Sequence, residues 1–153
     1  MPRQKPGLSR QDYETPPELM AAVERMWGKP DIDLAASEGN KKADKYFSLP
    51  QDSLKQNWLG WGLCWLNPPF GHIAPWAKKC AESGAHVLLL VPASVGSEWF
   101  AKWVYGKART WALRGRITFV GEDHPYPKDC MICEYSVGKN HFYDFQVWDW
   151  RKQ

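Results

Sequence analysis

The tetrapeptide Asn67-Pro68-Pro69-Phe70 combines residue types that can hold a planar amine. The side-chain carbonyl of Asn67 can accept one hydrogen bond from an amino group, and the main-chain carbonyl of Pro68 can accept a second. Neither proline has an N–H, so the segment presents acceptors. Two acceptors draw the nitrogen lone pair out of conjugation, and the Phe70 ring can stack on the ring that carries the amine. The expected chemistry is group transfer to nitrogen, helped by positioning and electrostatics without a strong base.

The apolar run 62–66 leads directly into this tetrapeptide and predicts a buried strand that ends at Asn67. Ligands of open α/β sheets bind at the carboxyl ends of strands, so a site is expected at this position. The alternative is an ordinary turn, because Asn-Pro and Pro-Pro are common turn dipeptides.

Apolar spacing and end signals predict three helices. The first begins near Thr15, which can cap it with Glu18 as capping-box partner, and it ends at Gly28. The other two helices cover residues 75–83 and 97–107. The predicted strands are 31–37, 45–48, 62–66, 86–91, 111–119, 129–137 and 142–150.

This order of elements predicts an α/β fold: a three-layer sandwich around a mostly parallel sheet with an antiparallel C-terminal edge. The chain of 153 residues suits one compact domain. We expect a flexible basic tail at 1–12 and a single catalytic domain at 13–153, without a separate target-recognition domain. Short loops such as 121–128 would then provide any sequence choice.

The composition, with 44% hydrophobic and 24% charged residues, is typical of a soluble globular protein. No apolar run approaches the ~20 residues that a membrane span requires, so no membrane partner is expected. The basic N-terminus is not followed by the apolar segment of a signal peptide, so a cytoplasmic location is expected. Nothing in the sequence indicates an oligomeric state.

Five basic residues and no acidic residue lie between Trp99 and Gly121, although the net charge of the chain is only +3. A stretch of one sign predicts a face that contacts phosphate groups; the alternative is a solvated surface of helix and loops. The five residues are Lys102, Lys107, Arg109, Arg114 and Arg116. The last two flank a glycine, which suits a loop around a phosphate.

Four cysteines raise the question of a metal or a disulfide. Cys130 and Cys133 have the CxxC spacing of zinc ligands, and His124 and His141 lie close in sequence. The apolar residues between and after the two cysteines predict a buried strand instead. No secretory signal supports disulfides. We therefore expect no metal and keep a structural zinc site as the alternative.

Several segments together resemble the phage-type DNA N6-adenine methyltransferases, which use S-adenosylmethionine and carry an Asp/Asn/Ser-Pro-Pro-Tyr/Phe motif. The likeness runs from about Tyr13 to Tyr135, and the order and spacing of the segments make it specific. The matching segments are 13–19, 31–37 with Asn40, 67–71 with Trp76 and Lys79, 89–92, 99–100 and 114–119.

The resemblance implies a Rossmann-like class I methyltransferase with double-stranded DNA as partner. Its catalytic residues would be Asn67, Pro68, Pro69 and Phe70, and the target adenine would flip out of its stack. The five basic residues would contact the DNA backbone. Asp33 would attract the ammonium group of the cofactor. The full set of expected cofactor-binding residues is Thr15, Pro16, Asp33, Ala35, Ala36, Ser37, Asn40 and Asp52.

The sequence departs from the pattern of many methyltransferases in the cofactor half. Its cofactor loop after the first strand lacks a Gly-x-Gly run, so the small residues 35–37 must allow the close backbone approach, and no clear acid follows a second strand to bind the ribose. The stretch between Asp33 and Asn67 is short for two βα units, so this half is expected to be trimmed. The structural alternatives are a helix-cap role for Asp33 and a turn role for Asn40.

Two other functions stay open from the sequence. A methyltransferase could act on another planar amine, such as an RNA base or a protein glutamine, although such enzymes typically carry a fuller glycine-rich cofactor motif. The chain could also be a non-enzymatic nucleic-acid-binding module stabilised by zinc.

Overall fold

The fold was analysed in a computed structural model that describes residues 13–48, 53–136 and 143–152. The predicted tail 1–12, Asp52 and His141 lie outside the described residues. A short 3-10 turn, Ser53–Lys55, follows the second strand. The regular elements are α1 (Pro17–Trp27), β1 (Ile32–Ala36), β2 (Lys45–Ser48), β3 (Leu63–Leu66), α2 (Ala74–Ser83), β4 (His86–Pro92), α3 (Glu98–Trp103), β5 (Arg109–Leu113), β6 (Cys130–Tyr135) and β7 (Phe145–Trp148).

The described strands form one sheet of seven strands in the order β2-β1-β3-β4-β6-β5-β7. Only β6 runs antiparallel to its neighbours β4 and β5, so the sheet is mostly parallel as predicted. The prediction of an antiparallel C-terminal edge is wrong, because β6 lies inside the sheet and the edge strand β7 is parallel to β5. The run Cys130–Ile132 is apolar on both faces, which suits a covered central strand better than an exposed edge.

Helices cover both faces of the sheet because its central strands are apolar on both sides. Leu88 and Leu90 of β4 pack in the cluster that contains α1, whereas the alternating residues Val87, Leu89 and Val91 pack in the cluster that contains α2 and α3. The longest described helix, α1, has 11 residues. None of the helices in the described ranges is long and apolar enough to cross a membrane.

Glycines end two elements earlier than the apolar pattern predicted. Helix α3 stops at Trp103 instead of residue 107, and the turn that follows contains Gly106 at φ +79°. Strand β5 stops at Leu113 instead of residue 119, and Gly115 at φ +82° turns the chain. Ile117 and Phe119 are still buried, which explains why the alternating pattern of this stretch resembled a strand.

The cysteine pair of the CxxC sequence lies on strand β6, as the buried-strand interpretation predicted. Cys130 packs on the α1 face and Cys133 on the α2 face, so the two thiols cannot bind one metal ion. Burial raises the pKa of the Cys130 thiol to about 12 and raises that of Cys133 as well. The zinc alternative built on this pair is therefore wrong, and no group of metal-binding side chains is found in the part of the chain that the structure describes.

Candidate active site

The tetrapeptide follows strand β3 at its carboxyl end, as predicted. Strands β1, β3, β4 and β5 share one direction, so the chain leaves all four at the same edge of the sheet. Asn67 and the residues after β1 therefore lie at this edge, which we call the site edge. Pro69 closes a turn here, because its carbonyl accepts a hydrogen bond from the His72 N–H at 3.3 Å.

The amide of Asn67 is fixed in one orientation by the chain in front of α1. Its Nδ2 donates hydrogen bonds to the backbone carbonyl of Tyr13 and to Oγ1 of Thr15, the latter at 3.0 Å. A backbone carbonyl can only accept, so this contact assigns the nitrogen and leaves Oδ1 as the other atom. Oδ1 is buried and has no partner among the residues that the structure describes. A buried acceptor without a partner costs free energy and is what an incoming amine needs.

Thr15 was predicted to cap helix α1 and does not. The N-cap residue is Pro16, without a side-chain cap, and the expected capping box with Glu18 is absent from the described residues. A proline at the first helical position, Pro17, has no N–H to satisfy, so this helix start needs fewer partners. The buried hydroxyl of Thr15 is therefore available for Asn67.

Phe70 belongs to a group of four aromatic residues that we call the aromatic cluster: Tyr13, Phe70, Phe119 and Tyr126. The Phe70 ring centroid lies 5.4 Å from that of Tyr13, 5.5 Å from that of Tyr126 and 5.9 Å from that of Phe119. Burial raises the pKa of the Tyr126 phenol to about 12, so it stays protonated and polar. The ring predicted to stack on a substrate thus already contacts aromatic rings of this chain.

Asp33 lies on β1 directly beside Trp65 of β3 in the strand register. Its Oδ1 accepts the Ala35 N–H at 3.1 Å and its Oδ2 accepts the Lys42 N–H at 2.9 Å. Burial raises the pKa of this carboxyl to about 6, although both backbone hydrogen bonds lower it. The carboxylate therefore holds the chain after β1 and does not cap a helix, and a cation brought beside it would favour its charged form.

A small cavity of about 30 Å³ lies between β1, β3 and the segment in front of α1. It has room for no more than a few water molecules. Five of the predicted site residues line it: Thr15, Asp33, Ala35, Asn40 and Asn67; Tyr13, Glu14, Lys42 and Trp65 complete the lining. Pro16, Ala36 and Ser37 are not part of this lining.

Asn40 has the turn role that the sequence left open as its alternative. Its Oδ1 accepts the Ser37 N–H at 2.7 Å and closes the turn after β1. The Lys42 ammonium pairs with the Glu14 carboxylate at 3.0 Å. The turn and the ion pair together connect the chain after β1 to the segment in front of α1 at the cavity wall.

The five basic residues do not form one face. Lys107 and Arg109 lie at the start of β5, whereas Arg114 and Arg116 follow its end at the site edge. Four strand residues, 110–113, at ~3.3 Å each lie between Arg109 and Arg114. Exposed Lys102 lies on α3, before the start of β5.

Two of these arginines bind acidic residues of this chain. Arg109 pairs with Asp144 at 3.0 Å and Arg114 with Asp149 at 2.9 Å. The guanidinium of Arg151 donates to the carbonyls of Arg114 and Arg116 at 3.1 and 2.8 Å and holds the bend at the site edge. Arg116 itself is exposed there.

The sequence analysis missed Glu14, Lys42 and Trp65 as site residues. Trp65 carried a usable signal, because it lies two residues before Asn67 in a strand and such residues share one face. Lys42 carried no such signal, because its place at the cavity depends on the path of the chain after β1. Arg151, which holds the bend beside Gly115, is likewise distant in sequence from every motif.

The sequence matches the family described as DNA N-6-adenine-methyltransferase (Dam) over residues 4–131. It is similar to a DNA N-6-adenine-methyltransferase of Escherichia phage T1, with 36% identity over 100 residues, which cover 63% of this chain and 42% of that protein. It is also similar to a DNA N-6-adenine-methyltransferase of Haemophilus phage HP1, with 28% identity over 98 residues, which cover 61% of this chain and 56% of that protein. The chain thus spans about half the length of these curated relatives. Because the family match extends over most of the chain, this protein belongs to the DNA N-6-adenine-methyltransferase (Dam) family.

Proposed function

We propose that this protein transfers a methyl group from S-adenosylmethionine to the N6 amine of adenine in DNA, on a Rossmann-like class I fold. The observation that carries the proposal is Asn67 Oδ1, which is buried, lacks a partner among the described residues and is held at the site edge by the two hydrogen bonds that the amide nitrogen donates. An acceptor fixed before the substrate arrives needs no reorganisation during the reaction.

On the substrate side, Asn67 Oδ1 accepts one hydrogen of the adenine amine, and the carbonyl of Pro68 accepts the other. These two hydrogen bonds draw the nitrogen lone pair out of conjugation with the ring. Phe70 stacks on the purine in place of part of its present aromatic contacts.

On the cofactor side, the cavity offers a carboxylate that can face the ammonium of an amino-acid group. Asp33 attracts the ammonium, and Ala35, without a large side chain, allows the backbone to approach closely. Thr15 keeps Asn67 oriented between the two substrates. S-adenosylmethionine, when bound, supplies a methyl carbon activated by a sulfonium. The fit of the cofactor rests on the Asp33 carboxylate and on Trp65 Nε1, a buried donor in the lining of this cavity that lacks a partner within the described residues.

Entry of a purine requires the site to open, because the cavity of about 30 Å³ is smaller than an adenine ring. The aromatic cluster closes the site edge, and its Tyr13 also carries the carbonyl that holds Asn67. We infer that the flipped base separates Phe70 from Tyr13 and replaces part of that contact with its own stacking.

The DNA duplex would lie along the site edge. Arg116 is exposed there, and residues 114–126 pass beside the segment in front of α1, where the Val120 N–H donates to the Glu14 carbonyl at 3.0 Å. Lys102, Lys107 and Arg109 lie towards the other end of β5, so the contacts that position DNA are fewer than the sequence predicted. The cytoplasmic location stays a prediction.

The direct test is incubation of the protein with labelled S-adenosylmethionine and DNA, RNA or protein in parallel reactions. N6-methyladenine in the digested DNA, identified by mass spectrometry, is the expected result. Label in RNA or protein but not in DNA would favour one of the other amine acceptors. No transfer, with no thermal stabilisation by the cofactor, would favour a binding module without this activity.

A further inference from the structure

Trp65 presents a buried hydrogen-bond donor that has no partner among the described residues. Its side chain is 0% exposed, and no described residue accepts from its Nε1. It lines the same cavity as Asn67, so one donor and one acceptor at this cavity are both unpaired. Burying an unpaired N–H costs free energy, whereas phenylalanine would fill an apolar core without this cost. Because Trp65 also lines this cavity, its unpaired indole N–H points to a ligand.

The strand register places this donor beside the acidic side of the cavity. Trp65 lies opposite Asp33 in the pairing of β3 with β1, and it lies two residues before Asn67. Both oxygens of Asp33 already accept backbone N–H groups. The ammonium of Lys42, which also lines the cavity, is paired with the Glu14 carboxylate at 3.0 Å. Within the described part of the chain, Trp65 Nε1 is the buried side-chain donor of this cavity that has no partner, and an anionic group can accept from it.

We propose that the Trp65 indole N–H binds the carboxylate of the methionine part of S-adenosylmethionine, while Asp33 faces its ammonium. An indole nitrogen only donates, so its partner has to be an acceptor. A carboxylate is the strongest acceptor in the cofactor, and hydrogen bonds to ionised groups are roughly twice as strong as neutral ones. Trp65 is then a binding residue of the cofactor site, and this inference rests on the proposed function.

The test compares S-adenosylmethionine with its decarboxylated analogue, by calorimetric titration of the wild-type protein and of W65F. The wild type should prefer the carboxylated compound. W65F should bind S-adenosylmethionine roughly 10- to 100-fold more weakly, because a hydrogen bond to a charged group is lost. Its affinity for the decarboxylated analogue should be unchanged.

The chain provides a matched control in Trp150. This indole is also buried, and its Nε1 also lacks a partner among the described residues, but it lies under the Arg151 guanidinium and does not line the cavity. W150F should therefore keep the wild-type preference between the two compounds. An equal loss of both affinities in W65F would show a packing role only and would overturn the inference.

A measurement on the wild type keeps the inference testable if W65F does not fold. In protein labelled with ¹⁵N, the assigned indole N–H of Trp65 should move downfield with S-adenosylmethionine and much less with the decarboxylated analogue. The same small movement with both compounds would overturn the inference and leave the proposed function intact. Failure of the wild type to bind S-adenosylmethionine at all would overturn both.

Discussion

The amide of Asn67 donates a hydrogen bond to the hydroxyl of Thr15 at 3.0 Å, across 52 positions in the sequence. The contact joins the end of β3 to the segment that precedes α1. Together with the Tyr13 carbonyl it prevents the amide from turning over. The carbonyl oxygen of Asn67 is therefore the amide atom that has no partner among the described residues. The first two predictions test this arrangement.

Replacing Asn67 by alanine should lower the rate of methyl transfer by about 10²–10³-fold or more, because the amine loses an acceptor set in place beforehand. Binding of S-adenosylmethionine should persist, since the Asp33 side of the cavity is unchanged. Transfer of tritiated methyl groups and calorimetric titration measure the two effects. Turnover of the variant close to that of the wild type would contradict the assigned role.

The variant T15V keeps the shape of the side chain and removes its hydroxyl. We expect a loss of roughly 2- to 10-fold in turnover, which corresponds to one neutral hydrogen bond. The matched control is T15S, which retains the hydroxyl and should recover most of the activity. Equal losses in T15V and T15S would indicate that packing, and not the bond to Asn67, matters at this position.

Phe70 contributes to stability as well as to substrate stacking. F70A removes its contacts with the other rings of the aromatic cluster, so the free energy of unfolding should fall by about 1–3 kcal/mol for this half-buried ring. The KM for DNA should also rise. F70Y keeps the ring and should retain both properties, as denaturant titration and steady-state kinetics can show. An unchanged KM in a folded F70A protein would argue against stacking.

Asp33 should make the protein less stable as the pH rises. Its pKa is about 6 in the folded protein and 3.8 in the unfolded chain, so the folded state binds the proton more tightly. The stabilisation is fully present below pH ~4 and is lost as the pH rises through 6, by on the order of 3 kcal/mol. In D33N only one side-chain oxygen remains to accept a backbone N–H, so the variant should be less stable than the wild type. The part of the pH dependence that comes from Asp33 should vanish. The difference between the two unfolding curves across pH 4–7 is the measurement.

Arg116 should contribute to DNA affinity. R116A should weaken binding uniformly across DNA sequences and reduce the slope of log K against log salt by about one. K107A, which removes an exposed charge at the other end of β5, is the matched control and should leave the slope nearly unchanged. Equal effects of the two substitutions would contradict the assignment of DNA to the site edge.

The central sheet could be predicted because its strands are marked by composition. The apolar run of β4 and the sequence of β6 each predicted a buried strand, and both are buried on two faces. The position of β6 between β4 and β5 could not be predicted, since strand order depends on packing among distant segments. The ends of α3 and β5 were placed too late because apolar residues continue past the glycines that stop these elements.

The parts of the candidate site that a short motif defines could be predicted from the sequence. The parts that depend on contacts between distant segments could not. The Asn67 tetrapeptide is such a motif. The partner of Thr15 could not be predicted, because its hydroxyl has two possible uses, a helix cap and a contact with a distant strand. The division of the basic stretch could not be predicted from the sequence either, because four strand residues, 110–113, separate charges that are close along the chain.

Because β6 lies beside β5, the connection between these two strands can accept insertions. The chain leaves β5 at Leu113 and re-enters the neighbouring strand at Cys130, so the connection starts and finishes at adjacent points of the sheet. Extra residues inserted at its exposed tip near Gly121 would lengthen a loop at a small entropic cost and leave the sheet pairing unchanged. Segments grafted at this tip would therefore lie beside the aromatic cluster, while the pairing of β5 with β6 stays unchanged.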